Sequence, residues 1–132
     1  MNKVEGKIKT IQVQAKLSLL TVEVDTILIE VVVIDTPETS TYLKVGCPIQ
    51  LMFKEIEVII GKGNERSNSL ENKINGTLKS IQHGDLFSKI IVATAIGELT
   101  SIISFHMAIE LELKPEDKIM AMIKSTDIML SA

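Results

Sequence analysis

Apolar and polar residues alternate along most of this chain. Residues 4–8 and 20–24 place apolar or small side chains at every second position, with charged or polar residues between them. Residues 26–34 instead form a nearly continuous β-branched run, which is typical of a strand buried on both faces. The pattern therefore predicts a chain built mostly of short β-strands.

The alternation changes phase at one place, and the change recurs. Residues 49–53 carry apolar side chains at odd positions, whereas residues 56–60 carry them at even positions. A period of two can change parity only through a bulge or a corner. We therefore expect an irregular step at residues 54–56, and a second one at the equivalent residues 124–126.

The recurrence belongs to an internal repeat. Residues 2–12 match residues 72–82 at an offset of 70 positions, and the same offset continues without a gap as far as Lys54 and Lys124. One register held over that length indicates two copies of one unit. The polar segment Gly61–Ser69, with two glycines and no apolar period, predicts the joint between them.

These boundaries divide the chain into two small domains. We expect the first domain at residues 1–63, a linker at residues 64–71 and the second domain at residues 72–132. The Gly-Lys-Gly at the start of the joint lacks the spacing of a phosphate-binding loop, and a plain linker is the better interpretation.

Each copy contains one predicted helical piece after its third strand. In the first copy Thr36-Pro37-Glu38 places a capping residue before a proline and an acid. In the second copy Ser104 precedes a segment, residues 105–113, in which Met107 and Ile109 are apolar. Three strands, a helix and two strands is an OB-like order. The predicted fold class is all-β, with two tandem OB-like five-stranded β-barrels and one short helix in each.

Composition and charge exclude several classes of function. The 132 residues carry a formal charge of −3, and only 3% are aromatic, so both the basic groove and the stacking platforms of an OB-fold nucleic-acid binder are missing. Cys47 is the only cysteine, which rules out an intrachain disulfide and makes a thiolate metal cluster implausible. No long apolar run free of charge occurs. We expect a soluble, cytoplasmic protein with no nucleic-acid or membrane partner.

The residues that could carry chemistry favour anion binding over catalysis. The histidines are isolated and the acids are scattered, so no catalytic constellation is visible. Thr100, Ser101 and Ser104 lie at a predicted strand end and helix start, where hydroxyls and backbone N–H groups are available. The irregular step Lys124–Thr126 adds a cation and two hydroxyls, a mixture that suits a tetrahedral oxyanion. Caps at a strand end remain the plainer alternative for the hydroxyls.

The second copy resembles the molybdate-binding Mop/TOBE-domain proteins, and a tandem pair is similar to the two-domain molbindins. The match covers residues 69–132, and residues 2–62 match more loosely. Four segments carry it: Asn72-Lys73-Ile74-Asn75-Gly76-Thr77-Leu78, Leu99-Thr100-Ser101-Ile102-Ile103-Ser104, Leu111-Glu112-Leu113-Lys114, and Ile123-Lys124-Ser125-Thr126-Asp127-Ile128-Met129-Leu130.

The resemblance implies a function and a set of site residues. It implies that the barrels assemble into a homo-oligomer, a trimer for two-domain chains, with molybdate or tungstate held at subunit interfaces. It implies storage or homeostasis of the oxyanion without catalysis, with no covalent cofactor and no directly bound metal ion. Lys124 and Ser125 would contact the anion, Ser104 and Ser69 would supply hydroxyls, and Lys54 would repeat the lysine in the first copy.

Three departures from the family pattern qualify that expectation. Glu71 replaces an arginine of the family, so an acid lies near the expected dianion unless its side chain points away. In the first copy Glu55 replaces a small residue, and Ile34 replaces the hydroxyl found at Ser104. We therefore expect few sites, built mainly from the second copy. A Mop-fold interaction or regulatory module with weak or no anion binding remains the alternative.

Overall fold

A computed structural model describes residues 1–63 and 66–132; residues 64 and 65 of the predicted linker lie outside the described residues. The first half contains β1 (Asn2–Gln14), β2 (Leu17–Val24), β3 (Ile27–Val33), β4 (Pro48–Phe53) and β5 (Ile59–Lys62). The second half contains β6 (Asn72–His83), β7 (Phe87–Thr94), β8 (Gly97–Ser104), α1 (Phe105–Glu110), β9 (Lys118–Ile123) and β10 (Met129–Ser131). The predicted β class is confirmed.

The internal repeat is confirmed element by element, because the five strands of the first half recur 70 positions later. The predicted irregular steps are single 3₁₀ turns, Glu55–Glu57 and Ser125–Asp127. Each turn is closed by an equivalent hydrogen bond, from Glu57 N to Lys54 O and from Asp127 N to Lys124 O, both 2.9 Å. Each turn shifts the alternation by one residue, so that even-numbered side chains after the turn point to the core, as the change of apolar phase requires.

The predicted helix forms in the second copy, and the helix predicted for the first copy is wrong. Ser104 caps α1 by accepting a hydrogen bond from Met107 N at 3.1 Å, and Ala108 anchors the helix in the core. In the first copy the segment after β3 is a turn in which Thr36 N donates to the Thr39 hydroxyl at 2.9 Å. Threonine side chains that bond to nearby backbone compete with helix formation. In this segment they stabilise a turn in place of the helix.

The two sheets exchange their last strands. One sheet has the order β10-β4-β1-β2-β3, and the other has the order β5-β9-β6-β7-β8. Thus β10, at the end of the second copy, pairs with β4 of the first, while β5 pairs with β9. Each sheet is completed by a strand from the other half of the chain. The domain bounds, residues 1–63 and 72–132, remain a prediction.

Hydrogen bonds from two asparagines also join the two halves of the chain. Asn72 accepts a hydrogen bond from Glu30 N at 2.8 Å and donates one to Glu30 O at 2.9 Å. Asn2 makes the same pair of contacts with Thr100, at 2.8 Å each. Both asparagines are buried, and β3 and β8 are the outer strands of their sheets. Each amide therefore pairs with an open strand edge as a neighbouring strand would.

The core is aliphatic, as the composition requires. Leu20, Val22, Leu51 and Leu78 are fully buried, and Phe53 is the aromatic residue among the largest buried side chains. Core residues of both repeats form a single apolar cluster. The two small units therefore share one core, which relieves the shortage of buried surface that a unit of about 65 residues has alone.

Candidate functional site

The strand exchange decides where each candidate residue lies. The turn Ser125–Asp127 packs against β3 of the first copy, and the turn Glu55–Glu57 packs against β8 of the second. The predicted set is therefore divided between two regions of one chain. Lys124, Ser125 and Thr126 lie beside β3, while the hydroxyl residues of β8 lie beside the first 3₁₀ turn.

The region beside β3 contains the most specific polar contact, between Glu71 and Ser125. The backbone N–H of Ser125 donates to Glu71 Oε1 at 2.9 Å, and its hydroxyl donates to Glu71 Oε2, also at 2.9 Å. Ser125 is buried, whereas Glu71 is exposed and Lys124 is exposed next to Ser125. We call Glu71, Lys124 and Ser125 the Ser125 site.

The electrostatics of this site favour a negative charge. The backbone N–H of Ser125 holds the pKa of Glu71 below its ordinary value of 4.5. The Ser125 hydroxyl and the charge of Lys124 act in the same direction, and partial burial of the carboxyl group opposes them. The site therefore stabilises the ionised form of an acid through neutral donors and one nearby cation.

The Ser125 site opens onto a groove of about 720 Å³ between the β1–β2 hairpin and β3. Gln12 and Gln14 line it with amide groups, and Glu30 adds a second acid. Val13 and Leu17, at the hairpin end, also line the groove and are 51% and 48% exposed. The groove thus combines polar donors with apolar side chains that this chain leaves uncovered.

The hydroxyl residues of β8 serve the fold at their positions. The Ser101 hydroxyl is fully buried and donates to Val58 O at 2.7 Å, which ties β8 to the end of the first 3₁₀ turn. Thr100 uses its backbone to pair with Asn2. Ser104 caps α1. The plainer alternative, that these residues are structural, accounts for the contacts of all three.

The first 3₁₀ turn contains Glu55, the acid that replaces a small residue of the family. Glu55 accepts a hydrogen bond from the Met1 ammonium at 2.8 Å, and this contact holds the pKa of Glu55 below its ordinary value. Lys54 is exposed beside it, and its backbone N–H donates to Glu57 Oε1 at 3.0 Å. At this turn a carboxylate therefore stands where the second turn has the Ser125 hydroxyl.

The remaining candidates are placed at the surface. Ser69 is exposed two residues before Glu71, and Thr126 is exposed on the second 3₁₀ turn. His83 Nδ1 lies 2.8 Å from the Ser88 hydroxyl, and His106 faces Glu110 on α1. Within residues 1–63 and 66–132, no three His, Cys, Asp or Glu side chains are grouped to hold a metal ion.

Sequence reasoning did not predict the contacts of the two asparagines or the partner of Glu71. Asn2 and Asn72 have the same parity as the buried Val4 and Ile74, so the alternation already indicated that the amides face inward. No such signal points from Glu71 to Ser125, because their contact depends on how β6 and β9 pair.

Comparison with known proteins identifies the family of the second repeat. Residues 68–130 match the TOBE domain model. The second repeat is a TOBE domain. No curated protein matches the sequence of the chain. In the part of the chain that the structure describes, no helix is long and apolar enough to cross a membrane.

One solved structure extends the likeness in fold to the whole chain, and two others match about half of it. The cytoplasmic molybdate-binding protein ModG, in a crystal form with molybdate bound, matches with a TM-score of 0.90 at 23% identity, covering 99% of this chain and 95% of ModG. A molybdate-binding protein from Sporomusa ovata covers 45% of this chain and 88% of its own, at 32% identity and a TM-score of 0.44. MopII from Clostridium pasteurianum covers 50% and 100%, at 31% identity and a TM-score of 0.48. The whole chain, with its two repeats, therefore has the fold of ModG.

Proposed function

We propose that this protein binds molybdate or tungstate as the intact oxyanion, for storage or homeostasis and without catalysis. It acts in the cytoplasm as a homo-oligomer, a trimer, with anions held where subunits meet. The proposal is supported by the fold shared with ModG, which is described as a cytoplasmic molybdate-binding protein, and by the donor geometry of the Ser125 site.

The contact between Ser125 and Glu71 carries the proposal. Two neutral donors of one residue reach two oxygens of one acid group, both at 2.9 Å. A tetrahedral dianion presents pairs of oxygens to donors in the same way, and hydrogen bonds to an ionised acceptor are stronger than neutral ones. Lys124 lies in sequence beside these donors and adds the positive charge that a dianion requires.

The oligomer is supported by apolar side chains left uncovered at equivalent ends of the two repeats. Leu17 at the start of β2 is 48% exposed, and Phe87, its equivalent at the start of β7, is 62% exposed. Val13 and Leu86 on the same hairpins are 51% and 72% exposed. Exposed apolar patches of this kind mark association surfaces. A neighbouring subunit docked there would cover the adjacent groove.

Calorimetric titration of the purified oligomer tests the proposal. Saturable heat with molybdate or tungstate, and none with sulfate, is the expected result. The Lys124→Ala variant should bind at least about tenfold more weakly, because a charge-assisted contact is lost. Lys44→Ala removes an equally exposed lysine from the loop before β4 and should leave the affinity unchanged. Unchanged affinity in the Lys124→Ala variant would remove this site from the proposal.

The second candidate function is an interaction or regulatory module that binds anions weakly or not at all. Glu71 at the Ser125 donors and Glu55 at the equivalent turn favour it, because both put a carboxylate where the anion is expected. An oligomer that gives no heat with molybdate, tungstate or sulfate, and yet retains a transporter or regulator from lysate, would favour this candidate. Tight anion binding without any captured protein would exclude it.

A further inference from the structure

We infer that Glu71 is an internal competitor for the anion, and that an oxyanion binds the Ser125 donors only by displacing the Glu71 carboxylate. The inference rests on the proposed function, and it adds a residue that sets the affinity and selectivity of that site. It begins from the observation that both donors of Ser125 already bind an acid group of this chain.

Burial shows that the two anions cannot share the donors. Ser125 is only 1% exposed, so its N–H and hydroxyl groups are covered in the present arrangement. The Glu71 side chain, by contrast, is exposed and can rotate into solvent. Each donor has one hydrogen to give, so a second acceptor at 2.7–3.2 Å requires that the carboxylate leave.

The backbone around Glu71 confines this displacement to the side chain. Asn72, the next residue, is buried and anchored to Glu30 by two hydrogen bonds. Leu70, the preceding residue, donates its N–H to Asn68 Oδ1 at 3.0 Å. With Asn72 anchored, the exchange of ligands at Ser125 needs only a rotation of one exposed side chain and leaves the fold intact.

Charge makes the competition selective. Glu71 contributes a single negative charge that Lys124 already stabilises. A monoanion brings no more charge than the carboxylate that it must displace, whereas a dianion interacts more strongly with the same cation. Glu30 also lines the groove, and its charge disfavours any anion that binds without strong compensation. The carboxylate therefore lowers the apparent affinity of every anion, and it lowers that of singly charged anions most.

The competitor is confined to one of the two 3₁₀ turns. At the first turn the positions are inverted, because the carboxylate of Glu55 lies on the turn itself and Met1 stands at the position equivalent to Glu71. Displacement of Glu71 consequently concerns the Ser125 site alone. A substitution at Glu71 should change the affinity of one class of site and leave any other class unaffected.

The test is calorimetric titration of molybdate into wild type, Glu71→Gln and Glu5→Gln. Glu5→Gln removes one exposed carboxylate from β1, outside the Ser125 groove, and controls for net charge. Molybdate should bind Glu71→Gln about tenfold or more tightly than wild type, equivalent to about 1.4 kcal/mol, with no change in Glu5→Gln. The backbone amide of Ser125, followed by ¹⁵N NMR, should respond at correspondingly lower molybdate concentration in Glu71→Gln.

The remaining outcomes separate this inference from the proposed function. Equal affinity in wild type and Glu71→Gln overturns the competitor and leaves the binding function standing. A response of Glu71→Gln where wild type gives none supports the competitor, since release of the donors has created the site. Absence of binding in both proteins overturns both proposals. Thermal unfolding and oligomer size, measured on each variant, show that the fold is retained.

Discussion

The carboxylate of Glu71 binds both donors of Ser125, a residue 54 positions away in the sequence. The contact continues the ladder between β6 and β9, whose last pair is Asn72 with Ile123. It thereby closes the end of that ladder at the point where the chain turns into the second 3₁₀ turn. The same two residues therefore matter for stability as well as for binding.

We predict that Glu71 and Ser125 are energetically coupled. Loss of the carboxylate leaves a buried N–H and hydroxyl without their acceptor, which costs roughly 1–3 kcal/mol. In a double-mutant cycle with Glu71→Ala and Ser125→Ala, urea unfolding at fixed protein concentration should give a coupling free energy of about 0.5–2 kcal/mol. Glu5→Ala in place of Glu71→Ala should be additive with Ser125→Ala. Additivity of the Glu71 and Ser125 variants would contradict the prediction.

The stability conferred by Glu71 should depend on pH. Because the Ser125 donors hold the pKa of Glu71 below 4.5, its contribution is fully present above that pH and is lost as the pH falls through the lowered value. The difference in free energy of unfolding between wild type and Glu71→Gln should thus be largest near neutrality and shrink in acid. Glu55 and Asp117 also have lowered pKa values, but they are common to both proteins and cancel. A difference that grows below pH 4.5 would contradict this assignment.

The local sequence pattern predicted the strands and turns. It did not predict which strands pair across the two halves of the chain. The period of two located the strands, and its change of parity located the turns at Lys54 and Lys124. Nothing local reveals that β10 pairs with β4, because an exchanged strand and a retained strand have the same alternation. The offset of 70 relates the copies in sequence, and it leaves open which copy completes which sheet.

The same limit separates the residues of the candidate site. Ser125 was predicted from its place at the irregular step, and Glu71 was recognised only as an acid in place of an arginine. Thr100 and Ser101 were grouped with Ser125 because their hydroxyls suit a tetrahedral oxyanion. The exchange places that part of β8 beside Glu55 instead. Short-range chemistry was therefore predictable, whereas its assembly across the two halves was not.

We predict that Asn72 contributes strongly to the joining of the halves. Asn72→Ala removes the partners of the N–H and C=O groups of Glu30, and we expect it to lower the free energy of unfolding by about 2–4 kcal/mol. Asn75→Ala, at an exposed position on the same strand, should cost less than about 0.5 kcal/mol. Chemical denaturation of both variants compares them. Equal stabilities would show that the edge of β3 does not depend on this amide.

A close approach of backbone, finally, explains why both repeats carry glycine four residues after their asparagine. A Cβ on Gly76 would lie 2.5 Å from Val92 Cγ1 and 2.8 Å from Ala93 O, and a Cβ on Gly6 would lie 2.6 Å from Glu23 O. Since a carbonyl in a paired strand cannot move aside, Gly76→Ala should lower the free energy of unfolding by about 1–3 kcal/mol.

Gly61→Ala is the matched control for Gly76→Ala. Its added Cβ would meet only the terminal methyl of Met122, at 2.9 Å, and a flexible methionine can move away. Thermal unfolding should therefore show a smaller loss for Gly61→Ala than for Gly76→Ala. Equal losses would mean that replacing any glycine in these strands has the same cost. The close contact with Val92 and Ala93 would then not be the reason that glycine stands at this position.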